Sequence, residues 1–272
     1  MTTTRPDSQS NRQRSYGTQP KPTHRHRVVR YRHAPRLREI PSRILLGLWL
    51  VPWLGAYASP GESGSRAVTK PEQVQQSRAW HFDGDATGKV PSGWRITETK
   101  PTKALATWKV VRDESASSPK NVFALTHSEN YNGNYNLAIA EKTSFKDIDL
   151  SVKVQGDSGE IDQGGGPIWR CRDENNYYIC RFNPLEGNYR VYFVKDGRRK
   201  QLESAKIETK AGKWYTVRVT MIGDRITCYL DGKKLLEVQD DTFKEAGMVG
   251  LWTKADAVTR FDDLVVGPFV KP

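Results

Sequence analysis

Residues 164–202 read GGGPIWRCRDENNYYICRFNPLEGNYRVYFVKDGRRKQL, and this stretch gives the clearest indication of the fold. It contains three short runs rich in aromatic and β-branched residues, at 166–172, 177–183 and 188–195. DENN at 173–176 and Asp196-Gly197 are typical hairpin connections between such runs. The stretch therefore predicts consecutive antiparallel strands joined by tight turns.

The same pattern of short strands and turns continues over the whole body from Ala79 onward. No window shows the 3.6-residue apolar period of a helix. In KWYTVRVTMI, at 213–222, apolar and polar side chains alternate, as in a strand with one buried face. The other predicted strands are 107–112, 121–126, 135–140, 147–155, 225–230, 234–238, 248–253 and 258–267. Half-buried strands in this number need two packed sheets, so we predict an all-β, two-sheet antiparallel jelly-roll sandwich.

The positive charge is concentrated near the N-terminus. The 272-residue chain has a formal net charge of +12, but residues 1–58 hold 11 of its 43 Lys and Arg residues and only two of its 31 acidic residues. The remainder has a net charge of only +3. A nearly balanced body gives no electrostatic basis for binding a phosphate backbone, so we expect no nucleic-acid partner.

An export signal is predicted ahead of the body. Residues 1–43 are basic, contain few aliphatic side chains and are expected to be disordered. Residues 44–58, ILLGLWLVPWLGAYA, form an apolar run that is short for a membrane span and ends in small residues before a cleavage point after Ala58. We interpret this run as the hydrophobic region of a signal peptide. An uncleaved anchor is the alternative and would be the protein's only contact with a membrane.

The polar, Gly- and Ser-rich residues 59–78 are expected to be a linker, followed by the jelly roll at 79–270. With the signal peptide, this organisation predicts an extracytoplasmic protein that is secreted, periplasmic or held at the cell envelope.

Cysteine and histidine usage limits the possible chemistry. The body contains only two histidines, His81 and His127, so a multi-histidine metal site is not expected. The three cysteines, Cys171, Cys180 and Cys228, include no CxxC pair, and their odd number argues against a disulfide framework. Alternation places Cys171 and Cys180 diagonally on one face of a predicted hairpin, where a disulfide is geometrically marginal. Free buried thiols are the alternative.

The hairpin RCRDENNYYICRF, at 170–182, offers a candidate ligand site. With a two-residue turn at Glu174-Asn175, strand alternation divides its side chains between two faces. The face expected to bind ligand carries Arg170, Arg172, Tyr177 and Arg181, with Asn183, Arg190 and Tyr192 as neighbours. The face expected to be core carries Trp169, Cys171, Tyr178, Cys180 and Phe182. Guanidinium groups bind hydroxyl pairs and carboxylates, so a carbohydrate is the expected partner. A solvated face whose arginines pair with nearby acids is the alternative.

A later strand can extend the same face. In GLWTKAD, at 250–256, Trp252 and Lys254 have the same strand parity and could border the face that carries the arginines. Trp252 is therefore included among the candidate ligand-binding residues, and a core position is the alternative.

The stretch GEIDQGGG, at 159–166, places the two carboxylates Glu160 and Asp162 two residues apart. On a strand both would point the same way, and a retaining glycosidase uses a pair of carboxylates. Glu160 and Asp162 are therefore the candidate catalytic residues. The run of glycines makes a poor strand interior, so a polar loop that leads into the next strand is the alternative.

The body resembles a known family over about residues 79–269. The resemblance is carried by the meander quoted above, by the opening AWHFDGDATGKVPSGW, and by the later segments AGKWYTVRVTMIGDRITCYLDGKKLLEV and TFKEAGMVGLWTKADAVTRFDDLVV. These segments are similar to the concanavalin A-like, laminin-G-like jelly rolls of the bacterial 3-keto-disaccharide hydrolase family, also described as 3-keto-glucoside lyases or hydratases. A more distant similarity links them to family 16 glycoside hydrolases. Such jelly rolls serve enzymes, lectins and adhesion modules alike.

The resemblance also bears on the carboxylates. In family 16 enzymes a Glu, an Asp two residues later and a second Glu two or three residues further on share the active strand. Glu160 and Asp162 match the first half of this pattern, but Gly164 and Gly165 stand where the second Glu belongs. This departure removes the expected proton donor.

A structural calcium ion is a further implication of the resemblance. Several concanavalin A-like domains hold Ca²⁺ where their terminal strands meet, with an Asp near the C-terminus among its oxygen ligands. Asp262 in FDD at 261–263 best matches that Asp, and Asp83 in FDGD at 82–85 is its candidate partner. A surface acid beside a turn is the alternative, and no other cofactor is expected.

Three functions remain open from the sequence. The first is an exported module that recognises or processes carbohydrate on an Arg- and Tyr-rich sheet face. The second is a 3-keto-glycoside hydrolase or lyase acting on oxidised disaccharides, which the resemblance implies; it needs a base for the C–H next to the ketone and a cation to stabilise the enolate. The third is a non-catalytic envelope or adhesion domain. A carboxylate with a perturbed pKa beside the arginines would favour the enzyme.

Overall fold

The computed structural model describes residues 76–101, 104–116 and 120–269, and these residues form fifteen β-strands and no helix. The strands are β1 (Arg78–Trp80), β2 (Trp94–Thr99), β3 (Thr107–Arg112), β4 (Asn121–His127), β5 (Tyr135–Phe145), β6 (Ile148–Ser158), β7 (Gly166–Asp173), β8 (Asn176–Asn183), β9 (Asn188–Lys195), β10 (Arg198–Lys206), β11 (Trp214–Ile222), β12 (Arg225–Leu230), β13 (Lys233–Gln239), β14 (Gly247–Lys254) and β15 (Val258–Pro268). Within these described ranges there is no helix that could span a membrane. The predicted disordered segment, the signal peptide and nearly all of the linker lie outside the described residues.

Two antiparallel sheets contain all of these strands. The first sheet has the order β13-β12-β11-β6-β15-β4-β3, and β1 pairs with β15 outside this path. The second sheet has the order β10-β9-β8-β7-β14-β5-β2. Neighbouring strands are often distant in the chain, as where β14 lies between β5 and β7. The predicted jelly-roll sandwich is confirmed.

The core lies between the two sheets and follows from the alternation of side chains along each strand. In β11, Val217 and Val219 are fully buried in the core, whereas Arg218 between them is partly exposed. Trp169 of β7 stacks on Tyr178 of β8 with their ring centroids 5.5 Å apart, inside the same core. Side chains from both sheets are therefore removed from water by one shared cluster.

A second apolar layer covers the opposite face of the second sheet. We call it the outer layer; it consists of Tyr135, Leu137, Ile139, Ile168, Cys171, Tyr177, Ile179, Tyr192, Val194 and Trp252, with Met248 partly buried against it. An antiparallel sheet commonly has one face in the core and one in water. In this sheet both faces are apolar, which is unusual. The candidate site is built on the outer layer.

The β7–β8 hairpin differs from its predicted side-chain arrangement. The two-residue turn at Glu174-Asn175 is present, because Asp173 pairs with Asn176. Further down, the register shifts between Trp169 and Asp173, and Arg170 has a φ of 43°, in the left-handed region. Four residue steps on β7, from Trp169 to Asp173, oppose only two on β8, from Tyr178 to Asn176, so a β-bulge interrupts the alternation.

The bulge makes part of the predicted ligand face wrong. Cys171 joins the outer layer beside Tyr177 instead of entering the core, whereas Trp169 and Cys180 are core residues as expected. Arg170 and Arg172 consequently do not extend the face that carries Arg181.

All three cysteines are buried and unbonded. Cys180 and Cys228 belong to the core between the sheets, whereas Cys171 belongs to the outer layer. Cys171 and Cys180 therefore lie on opposite faces of the second sheet, which excludes a disulfide between them.

Candidate functional site

Three aromatic rings of the outer layer form what we call the aromatic floor: Tyr135 of β5, Tyr192 of β9 and Trp252 of β14. The ring centroids of Tyr135 and Trp252 are 5.3 Å apart. Beneath them, the Trp252 indole Nε1 donates a hydrogen bond of 3.2 Å to the hydroxyl of Tyr177. That bond fixes the orientation of the indole. The Trp252 side chain is fully buried, as in the alternative interpretation from the sequence, and Tyr135 and Tyr192 are nearly so.

The guanidinium group of Arg199 lies against all three rings of the aromatic floor. Its central carbon is 4.4 Å from the ring centroid of Tyr192, 5.0 Å from that of Tyr135 and 5.8 Å from that of Trp252. Arg199 reaches this position because it pairs with Val194, an outer-layer residue of β9, and paired residues project from the same face. These distances are typical of cation–π contacts.

A buried ion pair stands beside the aromatic floor. Lys254 Nζ donates a hydrogen bond of 2.8 Å to Asp162 Oδ2, and Asn183 Nδ2 donates one of 3.0 Å to Asp162 Oδ1. The side chains of Asp162 and Lys254 are only 1% and 6% exposed. Burial raises the pKa of the Asp162 carboxyl, although the charges of Arg181 and Lys254 act in the opposite direction. Asp162 is thus a perturbed carboxylate among cations.

A second charged pair completes the site. The buried Arg181 guanidinium donates hydrogen bonds to Glu186 Oε2 at 3.0 Å, to Asn188 Oδ1 at 2.7 Å and to the Tyr192 hydroxyl at 3.3 Å. Burial alone would raise the pKa of Glu186, but the hydrogen bonds from Asn188 and Arg181 lower it to about 2. Glu186 is therefore ionised at neutral pH.

The stretch GEIDQGGG is a loop, and it brings only one of its two acids to the site. The Asp256 carboxylate accepts the backbone N–H groups of Glu160 at 2.7 Å and of Asp162 at 3.1 Å, which fixes the loop. Gly164 has a φ of +77°, and a Cβ there would lie 2.5 Å from the Phe182 carbonyl oxygen, so glycine is required. In this conformation Asp162 is buried beside Lys254 and Glu160 is exposed.

The structure places some of the predicted ligand-binding residues at the site and others elsewhere. It brings Arg181, Tyr192 and Trp252 together with Asp162, and it places Tyr177 directly beneath the aromatic floor. Arg190 stands at the edge of the site, where its Nη1 lies 3.4 Å from the Glu186 carboxylate. The expectation that Lys254 shares a face with Trp252 is confirmed.

Two predicted arginines lie elsewhere. The buried Arg170 guanidinium donates to the carbonyl oxygens of Lys146, Phe243 and Gly223 at 2.7–2.8 Å, and it also pairs with Asp147. Arg172 is exposed, with its guanidinium carbon 5.2 Å from the centroid of the Phe243 ring. Both positions follow from the β-bulge at Arg170.

Tyr135, Glu186, Asn188 and Arg199 are the site residues that the sequence analysis did not select. Tyr135 begins a predicted strand, and its even spacing from the apolar Leu137 and Ile139 was an available signal for a shared face. Arg199 follows the Asp196-Gly197 turn on a strand with little apolar alternation, RRKQLESAK, and gave no such signal.

Asp83 and Asp262, the proposed calcium ligands, are not part of the site described above. Asp262 is fully buried, and its Oδ1 accepts the backbone N–H of Asp263 at 2.8 Å. Asp83 Oδ1 is buried and has no hydrogen-bond partner. Among the described residues no three His, Cys, Asp or Glu side chains form a metal-binding group, so further ligands would have to be backbone carbonyls or water. Buried carboxylate oxygens fit the preference of Ca²⁺ for hard ligands.

Three solved structures with a similar fold are each less than 20% identical to the chain. The carbohydrate-binding module CBM66 from Bacillus subtilis is 19% identical, with a TM-score of 0.51 over 64% of this chain and 95% of that chain. Domain 4 of AbnA, a GH43 extracellular arabinanase from Geobacillus stearothermophilus solved with arabinotriose, is 12% identical, with a TM-score of 0.48 over 72% of this chain and 93% of that chain. The β-glucanase of Bacillus licheniformis is 8% identical, with a TM-score of 0.48 over 73% of this chain and all of that chain. No curated protein matches the chain.

One family matches by sequence across nearly the whole described sandwich. Residues 81–266 match the 3-keto-alpha-glucoside-1,2-lyase-like domain, a span that runs from the end of β1 to near the end of β15 and includes every residue of the site described above. The chain therefore belongs to the family of 3-keto-alpha-glucoside-1,2-lyase-like domains.

Proposed function

We propose that this domain processes carbohydrate by cleaving 3-keto-glycosides through elimination, with the aromatic floor as the sugar-binding surface and Asp162 as the base. The observation that carries the proposal is the buried Asp162, whose raised pKa and cationic neighbours are the properties of a catalytic carboxylate. Membership of the family supports the choice of substrate.

The rings of the aromatic floor are buried beneath Arg199, with Trp252, Tyr192 and Tyr135 only 0%, 3% and 6% exposed, so a sugar would reach them by displacing the Arg199 side chain. The ring faces would then offer apolar surface, while the surrounding groups supply hydrogen bonds. Asn183, Asn188 and the Tyr135 hydroxyl stand around the floor as neutral polar groups. Burial raises the pKa of Tyr135, although Arg199 lowers it, so this phenol stays protonated and can donate. A few directed polar groups around an apolar surface are typical of small-molecule sites.

The proposed reaction follows from the acidity of a C–H bond next to a ketone. In a 3-keto-glycoside the carbonyl at C3 acidifies the proton on C2. Asp162 takes that proton, and the negative charge delocalises onto the carbonyl oxygen as an enolate, which the Lys254 ammonium stabilises. The electron pair then forms the C1–C2 double bond as the bond from C1 to the glycosidic oxygen breaks. The leaving alkoxide is protonated by water.

The test is turnover by the full chain. Incubation with a 3-keto-α-glucoside, followed by NMR, should show loss of the C2 proton signal and release of the free alcohol. The same glucoside without the keto group should remain intact, because its C2–H is not acidic. A 3-keto substrate that stays unchanged through a prolonged incubation would reject the catalytic proposal.

A binding module without chemistry is the second candidate function. It is favoured by the hydrogen bonds that occupy both oxygens of Asp162, one from Lys254 and one from Asn183, because such a carboxylate can be purely structural. Saturation transfer from the protein to a 3-keto-glucoside without turnover would support this function.

We also propose that the domain acts outside the cytoplasm. The proposal rests on the apolar residues 44–58 and the small residues before the cleavage point at Ala58, which are typical of an export signal.

We propose, in addition, that Asp83 and Asp262 hold a structural Ca²⁺ ion, since carboxylate oxygens are the ligands that Ca²⁺ prefers and Asp83 Oδ1 is buried without a hydrogen-bond partner. A ligand that binds only the folded state at 100 times its Kd adds about 2.7 kcal/mol of stability. For a domain of this size, millimolar Ca²⁺ should therefore raise the melting temperature by about 5–10 °C over a chelated sample.

The Asp83→Asn variant should lose this response to calcium, and it breaks no hydrogen bond of Oδ1. Asp241→Asn, on an exposed side chain, should keep the full response and serves as the matched control. An identical melting temperature for the wild type with calcium and with chelator would reject the ion.

A further inference from the structure

The charges of the site are unequal, and Arg199 is the group without a counterion. Lys254 pairs with Asp162 and Arg181 pairs with Glu186, at 2.8 and 3.0 Å. Arg199 forms no ion pair with any carboxylate in the described part of the chain, and its contacts there are with the three rings of the aromatic floor. The site therefore carries more cations than anions.

Two guanidinium nitrogens in the site have no hydrogen-bond partner. They are Nη1 of Arg199 and Nε of Arg181, and both atoms are buried. The Arg181 side chain is 1% exposed, so its Nε is also removed from bulk water. A buried donor that lacks an acceptor costs about 1–3 kcal/mol, and more for a charged group. Such atoms in a native site call for an acceptor from outside the chain, either a water molecule or a ligand.

The two guanidinium groups also share one ring. Their central carbons lie 5.9 Å (Arg181) and 4.4 Å (Arg199) from the centroid of Tyr192. Glu186 is shared by Arg181 and Arg190 and, like every other described carboxylate, forms no ion pair with Arg199, so the like charges of Arg181 and Arg199 remain incompletely compensated. A negatively charged group bound between them would both accept the unpaired N–H groups and relieve this repulsion.

We propose that Arg199 and Arg181 together receive a carboxylate of the sugar ligand, so that the site prefers glycans containing a uronic acid. The planar guanidinium fork matches the two oxygens of a carboxylate. The sugar ring then packs on the aromatic floor alongside the Arg199 side chain. This inference rests on the proposed function because it uses the same site, and it names the class of ligand that the site selects.

The experiment compares two ligands that differ only in the acidic group, methyl α-D-glucuronide and methyl α-D-glucoside, by NMR titration of the full chain. A charge-assisted hydrogen bond contributes about 1.5–3 kcal/mol, so the glucuronide should bind at least about tenfold more tightly. In Arg199→Gln this preference should fall close to unity, because the glucuronide should lose more affinity than the glucoside. Arg198→Gln changes the exposed neighbouring arginine of β10 and should leave the preference unchanged.

The outcomes separate this inference from the proposed function. Equal affinity of the wild type for the two ligands, or an equal loss of both ligands in Arg199→Gln, would overturn the preference for acidic sugars. Turnover of a neutral 3-keto-glucoside together with such equal affinity would leave the proposed function standing. If the wild type binds neither ligand and turns over no 3-keto-glucoside, the proposed function fails and this inference fails with it.

Discussion

Replacing Asp162 by asparagine is expected to lower the rate of 3-keto-glycoside cleavage by about 10²- to 10⁴-fold, the usual contribution of a general base. Asparagine has nearly the same shape and keeps an oxygen that can accept from Lys254, but it cannot take the C2 proton. Single-turnover NMR with a 3-keto-α-glucoside measures the loss, and saturation transfer shows whether the sugar still binds.

The matched control for this variant lies in the same loop. Glu160→Gln removes an acid two residues away whose side chain is exposed, so the rate should stay within about twofold of the wild type because exposed substitutions rarely disturb a site. A large loss of rate in Glu160→Gln with little change in Asp162→Asn would show that Asp162 is not the base.

The pH dependence of the wild type gives a second test that does not depend on folding of a variant. The active base is ionised, and burial raises the pKa of Asp162. The ratio kcat/KM should therefore fall as the pH drops through this raised pKa, which lies above the ordinary value of 3.8. Glu160→Gln should show the same acidic limb. A flat profile down to pH 4 would contradict the assignment.

The sequence predicts most of the fold because alternation is strong wherever a strand faces the core. All twelve predicted strands are present, as KWYTVRVTMI shows in β11. The missed strands β1, β2 and β10 lie at positions where this signal is weak. RRKQLESAK in β10 is an edge strand with mostly exposed side chains, so its sequence is not constrained by burial on either face.

The site is less predictable because it depends on local departures from regular strands and on contacts between distant segments. The bulge at Arg170 moves Arg170, Cys171 and Arg172 off their predicted faces, and a left-handed arginine has no sequence signature comparable to that of glycine. The sequence analysis selected Asp162 as one of two carboxylates on the same side of a strand, but Glu160, the other one, does not lie beside it. Its actual partner, Lys254, is 92 residues away, and only the position of β14 between β5 and β7 brings the two together.

Replacing Lys254 by methionine is expected to destabilise the domain by about 3–5 kcal/mol at neutral pH, because it leaves the buried Asp162 carboxylate without its cation. Methionine fills a similar volume, so little of the loss should come from packing. Urea unfolding of Lys254→Met at pH 7 measures the change in the free energy of unfolding, relative to the wild type.

The double variant Asp162→Asn/Lys254→Met removes both charges and should recover most of this loss, since an uncharged pair carries no desolvation penalty.

The stability of the single variant Lys254→Met should depend on pH in a defined direction. In the folded state burial holds the pKa of Asp162 above its ordinary value of 3.8, and without Lys254 nearby the shift should be larger. The ionised carboxylate is thus disfavoured only in the folded state, so the penalty is complete above the folded pKa and vanishes below about 3.8. Lys254→Met should approach the double variant in stability as the pH falls. Equal unfolding midpoints for the single and double variants at pH 7 would show that Lys254 does not balance a buried charge, and would remove the electrostatic basis for Asp162 as a catalytic base.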